Sequence, residues 1–132
     1  MLDVRRLFHT LSSLMKADLT TRQLDACSRA ETRPAFLTST DRVAIGRDFD
    51  PNQLPINGLR HPAHGTMCGW YIWSGEELSS DEDYFVVRCY EHLVAEGQPW
   101  IDYLALPAGW RFLAAPGYED MWFDDTLLDV GA

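Results

Sequence analysis

The sequence predicts an α+β fold, a single domain over residues 1–132 in which an antiparallel sheet packs against N-terminal and central helices. Three observations carry that expectation. The first 33 residues space their apolar side chains at a helical period. Short β-prone runs separated by turn residues follow, with a helical stretch inserted among them. The last third then has two apolar runs close enough to form a hairpin. A chain of 132 residues fits one core, and its five Trp, five Tyr and six Phe supply large anchors for it.

Val4, Leu7, Phe8, Leu11, Leu14 and Met15 form one stripe on a 3.6-residue period, so residues 3–16 are expected to be helical. A second helix is expected from Thr20 to about Ala30, because Thr20 with Gln23 three residues on is a capping-box pattern. Leu24 and Cys27 would face inward. From Pro34 the period changes, and "AFLTST" and "RVAIG" are expected as two strands of a hairpin. "RDFDPNQLPINGLRHPAHG" has three Pro, two Gly and no sustained period, which predicts a long loop.

"TMCGWYIWSG" is apolar at Met67, Trp70, Tyr71, Ile72 and Trp73, the pattern of a central strand covered on both sides. After the acidic stretch "EELSSDEDYF" a helix is expected over residues 84–95, with Phe85, Cys89 and His92 or Leu93 inside and Gly97 as its stop. Pro99 suits the first turn of a further short helix, "PWIDYLAL". "GWRFLAA" and "EDMWFD" then form the hairpin around Pro116 and Gly117, and "TLLDV" is expected to add an edge segment.

Charge is divided unevenly. Residues 1–66 carry nine basic and seven acidic side chains, residues 67–132 two basic and thirteen acidic, so +2 and −11 sum to the net −9. Such a balance repels phosphate backbones and favours cationic proteins, which argues against nucleic-acid binding. No segment has the roughly 20 apolar residues of a membrane span or a signal-peptide core, and the three cysteines, Cys27, Cys68 and Cys89, contain no CxxC pair. The expectation is a cytoplasmic protein with reduced thiols.

Three groups of residues bear on chemistry. His61, His64 and Cys68 have an H-x2-H-x3-C spacing that offers zinc three ligands, but no fourth is evident, and Pro62 and Gly65 make the segment a turn. The same Cys68 with either histidine, or Cys89 with His92, is the starting point for a thiol nucleophile. The stronger pattern is acidic: Glu76, Glu77, Asp81, Glu82, Asp83, Glu119, Asp120, Asp124 and Asp125 fall in turns or just beyond strands, beside Tyr84, Tyr118 and Trp122. Aromatic anchors inside a charged rim are the anatomy of a protein-binding surface. No cofactor is expected.

"HPAHGTMCGWYIWSGEELSSDEDYF", "YEHL" and "LALPAGWRFLAAPGYEDMWFDDTLLDV" resemble the bacterial Imm33-type immunity proteins, over about residues 60–130. The resemblance implies an α+β domain that belongs to a polymorphic toxin system and is encoded beside a secreted toxin. It would be a non-enzymatic inhibitor that binds and neutralises that toxin, with no catalytic residue set to transfer. An acidic domain suits a basic toxin such as a nuclease. The alternatives are a small metal- or thiol-dependent enzyme on His61, His64 and Cys68, and a small-molecule binding module using the Trp-rich strands.

Overall fold

In the computed structural model residues 4–129 are described, those from 4 to 16 as helix backbone alone. The apolar stripe from Val4 to Met15 therefore lies outside the described side chains, as does Val130. A long helix α1 (Val4–Arg29) precedes six strands: β1 (Arg42–Gly46), β2 (Ile56–Arg60), β3 (Met67–Ser74), β4 (Phe85–Cys89), β5 (Trp110–Ala115) and β6 (Tyr118–Phe123). Between β4 and β5 come α2 (Tyr90–Glu96) and a 3₁₀ helix (Pro99–Tyr103), and a second 3₁₀ helix (Asp125–Leu128) follows β6. The six strands form one sheet in the order β4-β1-β3-β2-β5-β6. Every neighbouring pair is antiparallel except β1 with β3. The expected α+β architecture is thus present, with the sheet mixed rather than wholly antiparallel.

The core lies on one face of the sheet. Val43, Ile45, Ile56, Trp70, Ile72 and Phe112 point to that face and pack with Leu19 and Cys27 of α1, Leu93 of α2, and Trp100 and Ile101 of the first 3₁₀ helix. Nothing between Met15 and Thr20 breaks a helix, so the two expected helices are one. Gln23 does not complete a capping box: it is buried, and its side-chain amide donates to Tyr90 Oη at 2.9 Å and to the Ile101 carbonyl at 3.1 Å. Leu24, expected inside, is exposed, whereas Cys27 is buried as expected. The helix ends in a Schellman arrangement: Glu31 takes a left-handed φ of 58°, and the Thr32 amide donates to the Cys27 carbonyl.

Four further expectations are corrected. "AFLTST" is not a strand; Ala35 instead donates to the Ala105 carbonyl at 2.7 Å, and β1 pairs with β3 and β4 rather than with a preceding hairpin arm. The long loop contains β2, whose inward positions are Ile56, Gly58 and Arg60. Gly58 is required there because a Cβ would lie 2.2 Å from Phe112 Cε1. Residues 85–89, expected as helix, are strand β4, since Phe85, Val86 and Val87 favour the extended form and lie in register along β1. Only Tyr90–Glu96 is helical, and Gly97 ends it at φ 70° as expected. Pro99 begins the first 3₁₀ helix and the β5–β6 hairpin turns at Pro116 and Gly117, both as expected, but "TLLDV" is a 3₁₀ turn over its described part. No helix among the described residues is long and apolar enough to cross a membrane.

Candidate functional site

Alternation along the strands gives the sheet a second face. Trp70 and Ile72 point to the helices, so Tyr71 and Trp73 point away from them. The registers Leu59↔Tyr71, Asn57↔Leu113, Arg111↔Trp122 and Ala44↔Val87 put those residues on the same side. Trp73 is 4% exposed, but Tyr71, Phe85, Leu59 and Leu113 are half-buried, and Val87, Tyr118 and Trp122 are exposed. The expected cover of the central strand on both sides is complete on the helical face and partial on the second, where Trp73 is buried and Tyr71 half-buried.

Tyr84 and the second 3₁₀ helix reach the second face. Tyr84 lies over Gly46, where a Cβ would come within 2.7 Å of its hydroxyl, and that hydroxyl donates to Asp48 Oδ1 at 2.7 Å. Burial, with Asp48 beside it, pushes the Tyr84 phenol up to about 12. At the other end the Leu127 carbonyl of the second 3₁₀ helix accepts from His61 Nδ1 at 2.9 Å. Between them an aromatic row crosses the sheet: His61 stands edge-on to Tyr71 at 5.5 Å, and Tyr71 edge-on to Phe85 at 5.1 Å.

The predicted site residues are partly brought together. Tyr118, Asp120 and Trp122 alternate along β6 on the second face and are all exposed. Arg111 lies over the Trp122 ring at 5.4 Å and donates to Asp124 Oδ2 at 3.3 Å. Thr126, through its hydroxyl and amide, and then Arg111 hold the Asp124 carboxyl below the usual carboxylate range. Asp125 is exposed in the turn that follows. Glu76, Glu77, Asp81, Glu82 and Asp83 form a separate exposed group between β3 and β4, and an open groove there is lined by Asp48, Gln53, Glu76 and Glu77. The registers Ile56↔Ser74, Ile56↔Ala114 and Ala115↔Tyr118 put the start of β6 at the end of the sheet where Glu76 follows β3. Asp124 and Asp125 lie at the opposite end.

Two of the expected surface residues are engaged by other parts of the chain. Tyr84 is 7% exposed. Glu119 points to the helical face, where Arg29 donates to both of its carboxylate oxygens at 2.5 and 3.0 Å, and Tyr103 Oη donates to Oε2 at 2.7 Å. The Arg29 hydrogen bond leads in holding the Glu119 carboxyl below its ordinary value. A depressed folded-state value means that this contact stabilises the protein above the usual glutamate range, about 4.3, and is lost as pH falls through the lower folded value. Glu119→Gln is therefore expected to lower stability at pH 7 by about 0.5–1 kcal/mol, the pair being partly solvent-screened, and to flatten the fall in melting temperature between about pH 5 and 3. A variant as acid-sensitive as the parent would show that the contact contributes nothing.

The residues offered for metal or thiol chemistry do not converge. His64 is exposed in a tight turn in which its amide and carbonyl both bond to Met67, His61 uses Nδ1 on a carbonyl, and Cys68 is buried. Burial pushes the Cys68 thiol up, opposite to what a nucleophile requires. Cys89 and His92 do not share a helix face, since Cys89 is on β4, where its thiol donates to the Ser39 carbonyl at 3.4 Å. Among the described residues no three His, Cys, Asp or Glu gather as a metal site.

One buried functional group escaped the sequence reading. Arg60, 8% exposed, donates to the carbonyls of Leu106 at 2.8 Å, Ala35 at 2.9 Å and Cys68 at 3.1 Å, and its guanidinium lies 5.8 Å from the Trp70 ring centre. It ties the segment after α1, the β2–β3 pair and the loop before β5 together beneath the open face. An arginine between turn-forming residues carries no local sign of burial.

No curated protein matches the chain. No solved structure matches it either. The family model of the Imm33-like domain matches residues 22–124, a span that includes all six strands of the sheet, and the chain belongs to the Imm33-like family.

Proposed function

We propose that the protein is a non-enzymatic immunity protein that binds a cognate bacterial toxin and neutralises it, with the uncovered face of the sheet as the docking surface. The observation that carries this reading is the line Tyr118, Asp120 and Trp122 on β6: two exposed aromatic rings with a carboxylate between them, continuous with half-buried Leu113, Leu59 and Tyr71. Aromatic side chains beside desolvated apolar surface are where interface energy concentrates. The net charge of −9 favours a cationic toxin, such as a nuclease, and speeds its encounter. Glu76, Glu77, Asp81, Glu82 and Asp83 act in this reading as a steering rim, with Asp124 and Asp125 at the far end. Family membership supports the class of partner; the face and the residues rest on the geometry.

The test uses the product of the neighbouring toxin gene. Trp122→Ala and Tyr118→Ala are each expected to weaken its binding by about 30-fold, near 2 kcal/mol, through faster dissociation. Neutralising Glu76, Glu77, Glu82 and Asp83 together is expected to slow association and reduce its salt dependence. Full affinity in both aromatic variants, with folding unchanged by circular dichroism, would move the interface elsewhere.

A further inference from the structure

β4 is an edge of the sheet, and its outward backbone groups have a definite identity. The Arg47 amide donates to the Tyr84 carbonyl and the Tyr90 amide to the Asp41 carbonyl. In an antiparallel ladder hydrogen-bonded and non-bonded pairs alternate, so the pairs Val43↔Arg88 and Ile45↔Val86 face β1. The N–H and C=O groups of Phe85, Val87 and Cys89 consequently point away from the sheet. Among the described residues the strand has little edge protection beyond its short length and the charge of Arg88. Its register along β1 is free of bulges, it contains no Lys or Pro, its one charge, Arg88, is drawn to Glu96 of α2, and Val86 and Val87 are 39% and 52% exposed on its two faces.

We propose that β4 pairs antiparallel with β4 of a second copy of this chain, about a two-fold axis at Val87, joining the two sheets into one. In that register Val87 opposes Val87 and Phe85 opposes Cys89, so every outward N–H and C=O of these three residues on each copy gains a partner. The side chains match as well. Phe85, Val87 and Cys89 all lie on the open face, so the pairing sets apolar groups side by side, and Val86 opposes Arg88 on the other face. The other edge does not suit self-pairing: a two-fold axis at the middle of β6 sets Asp120 against Asp120 or, one residue on, Asp120 against Trp122. This pairing uses the opposite edge from Tyr118 and Trp122, and it shares with the toxin-binding reading only the rim residues Asp81, Glu82 and Asp83 just before β4.

Light scattering on the purified chain is expected to give a mass that rises with concentration from 15.1 kDa toward roughly twice that value. Val87→Glu, at an exposed position, places like charges opposite each other and is expected to weaken the dimer about tenfold or more, with the circular dichroism of the parent. In a Cys89→Ser background, Val87→Cys should form a disulfide-linked dimer under mild oxidation, because opposed strand residues lie within disulfide range, whereas Tyr118→Cys should not. A mass of 15.1 kDa at every concentration, a dimer indifferent to Val87→Glu, or cross-linking through Tyr118→Cys in place of Val87→Cys would overturn the proposal.

Discussion

Arg60→Met is expected to lower the folding stability by about 3 kcal/mol, a large share of the roughly 5–15 kcal/mol a domain of this size has. Methionine fills much of the same volume, and it removes the cost of burying a charge, which itself pulls the Arg60 guanidinium below its ordinary value. Buried ions replaced by apolar groups are for that reason sometimes neutral. Here the acceptors decide the sign. They are the backbone carbonyls of Ala35, Cys68 and Leu106, which remain in place when the arginine goes and lose their donor, those of Cys68 and Leu106 buried and that of Ala35 partly so. Arg60→Lys is expected to be nearly as damaging, because one ammonium group does not span acceptors arranged around a planar fork. Urea denaturation measures it: the midpoint should fall by about 1–2 M at unchanged slope, and a midpoint equal to that of the parent would remove Arg60 from its assigned role.

Gly69→Ala is the second large effect, at about 3–5 kcal/mol. Gly69 sits at φ +100°, and a Cβ there would lie 1.8 Å from the His61 carbonyl oxygen, while the His61 amide donates to the Gly69 carbonyl at 2.9 Å. Since the obstacle is backbone, relief requires β2 and β3 to separate at the base of the open face, displacing His61 from Tyr71. Gly65→Ala is the control, with φ +59° and nothing within 4 Å of the added carbon, and should cost only about 1 kcal/mol. Equal losses of melting temperature in the two variants would show that the close approach at Gly69 is not limiting.

Legibility in the sequence follows from whether a residue's environment is local. Trp70 and Ile72 are in the core and the hairpin turns at Pro116 and Gly117, because apolar alternation and turn chemistry act over a few neighbours. β2 escaped because its inward positions are Ile56, Gly58 and Arg60: the space that alternation reserves for an apolar side chain at Gly58 is filled by the ring of Phe112, from β5. β4 reads as a helix because Phe85, Cys89 and Leu93 also fit a helical stripe, and only pairing with β1 separates strand from helix. Among the candidate site residues, Tyr118, Asp120 and Trp122 are as exposed as their composition suggests. Tyr84 and Glu119 are not, since Asp48 and Arg29 engage them from distant parts of the chain. Tyr71, Phe85 and Leu59 were unmarked as surface residues, because an apolar side chain gives no sign of whether a second layer will cover it.

By itself the sequence determined the α+β class, the central strand, the terminal hairpin and a strongly acidic second half, each a property of spacing or composition along the chain. Only the tertiary structure decided that the described side chains of α1, α2 and the first 3₁₀ helix pack on one side of the sheet, leaving Val87, Tyr118 and Trp122 exposed on the other, and that β4 is an edge. Which face is covered depends on the order in which strands pair, and that order is fixed by contacts between residues far apart in sequence, such as Arg60 with Leu106 and Arg29 with Glu119.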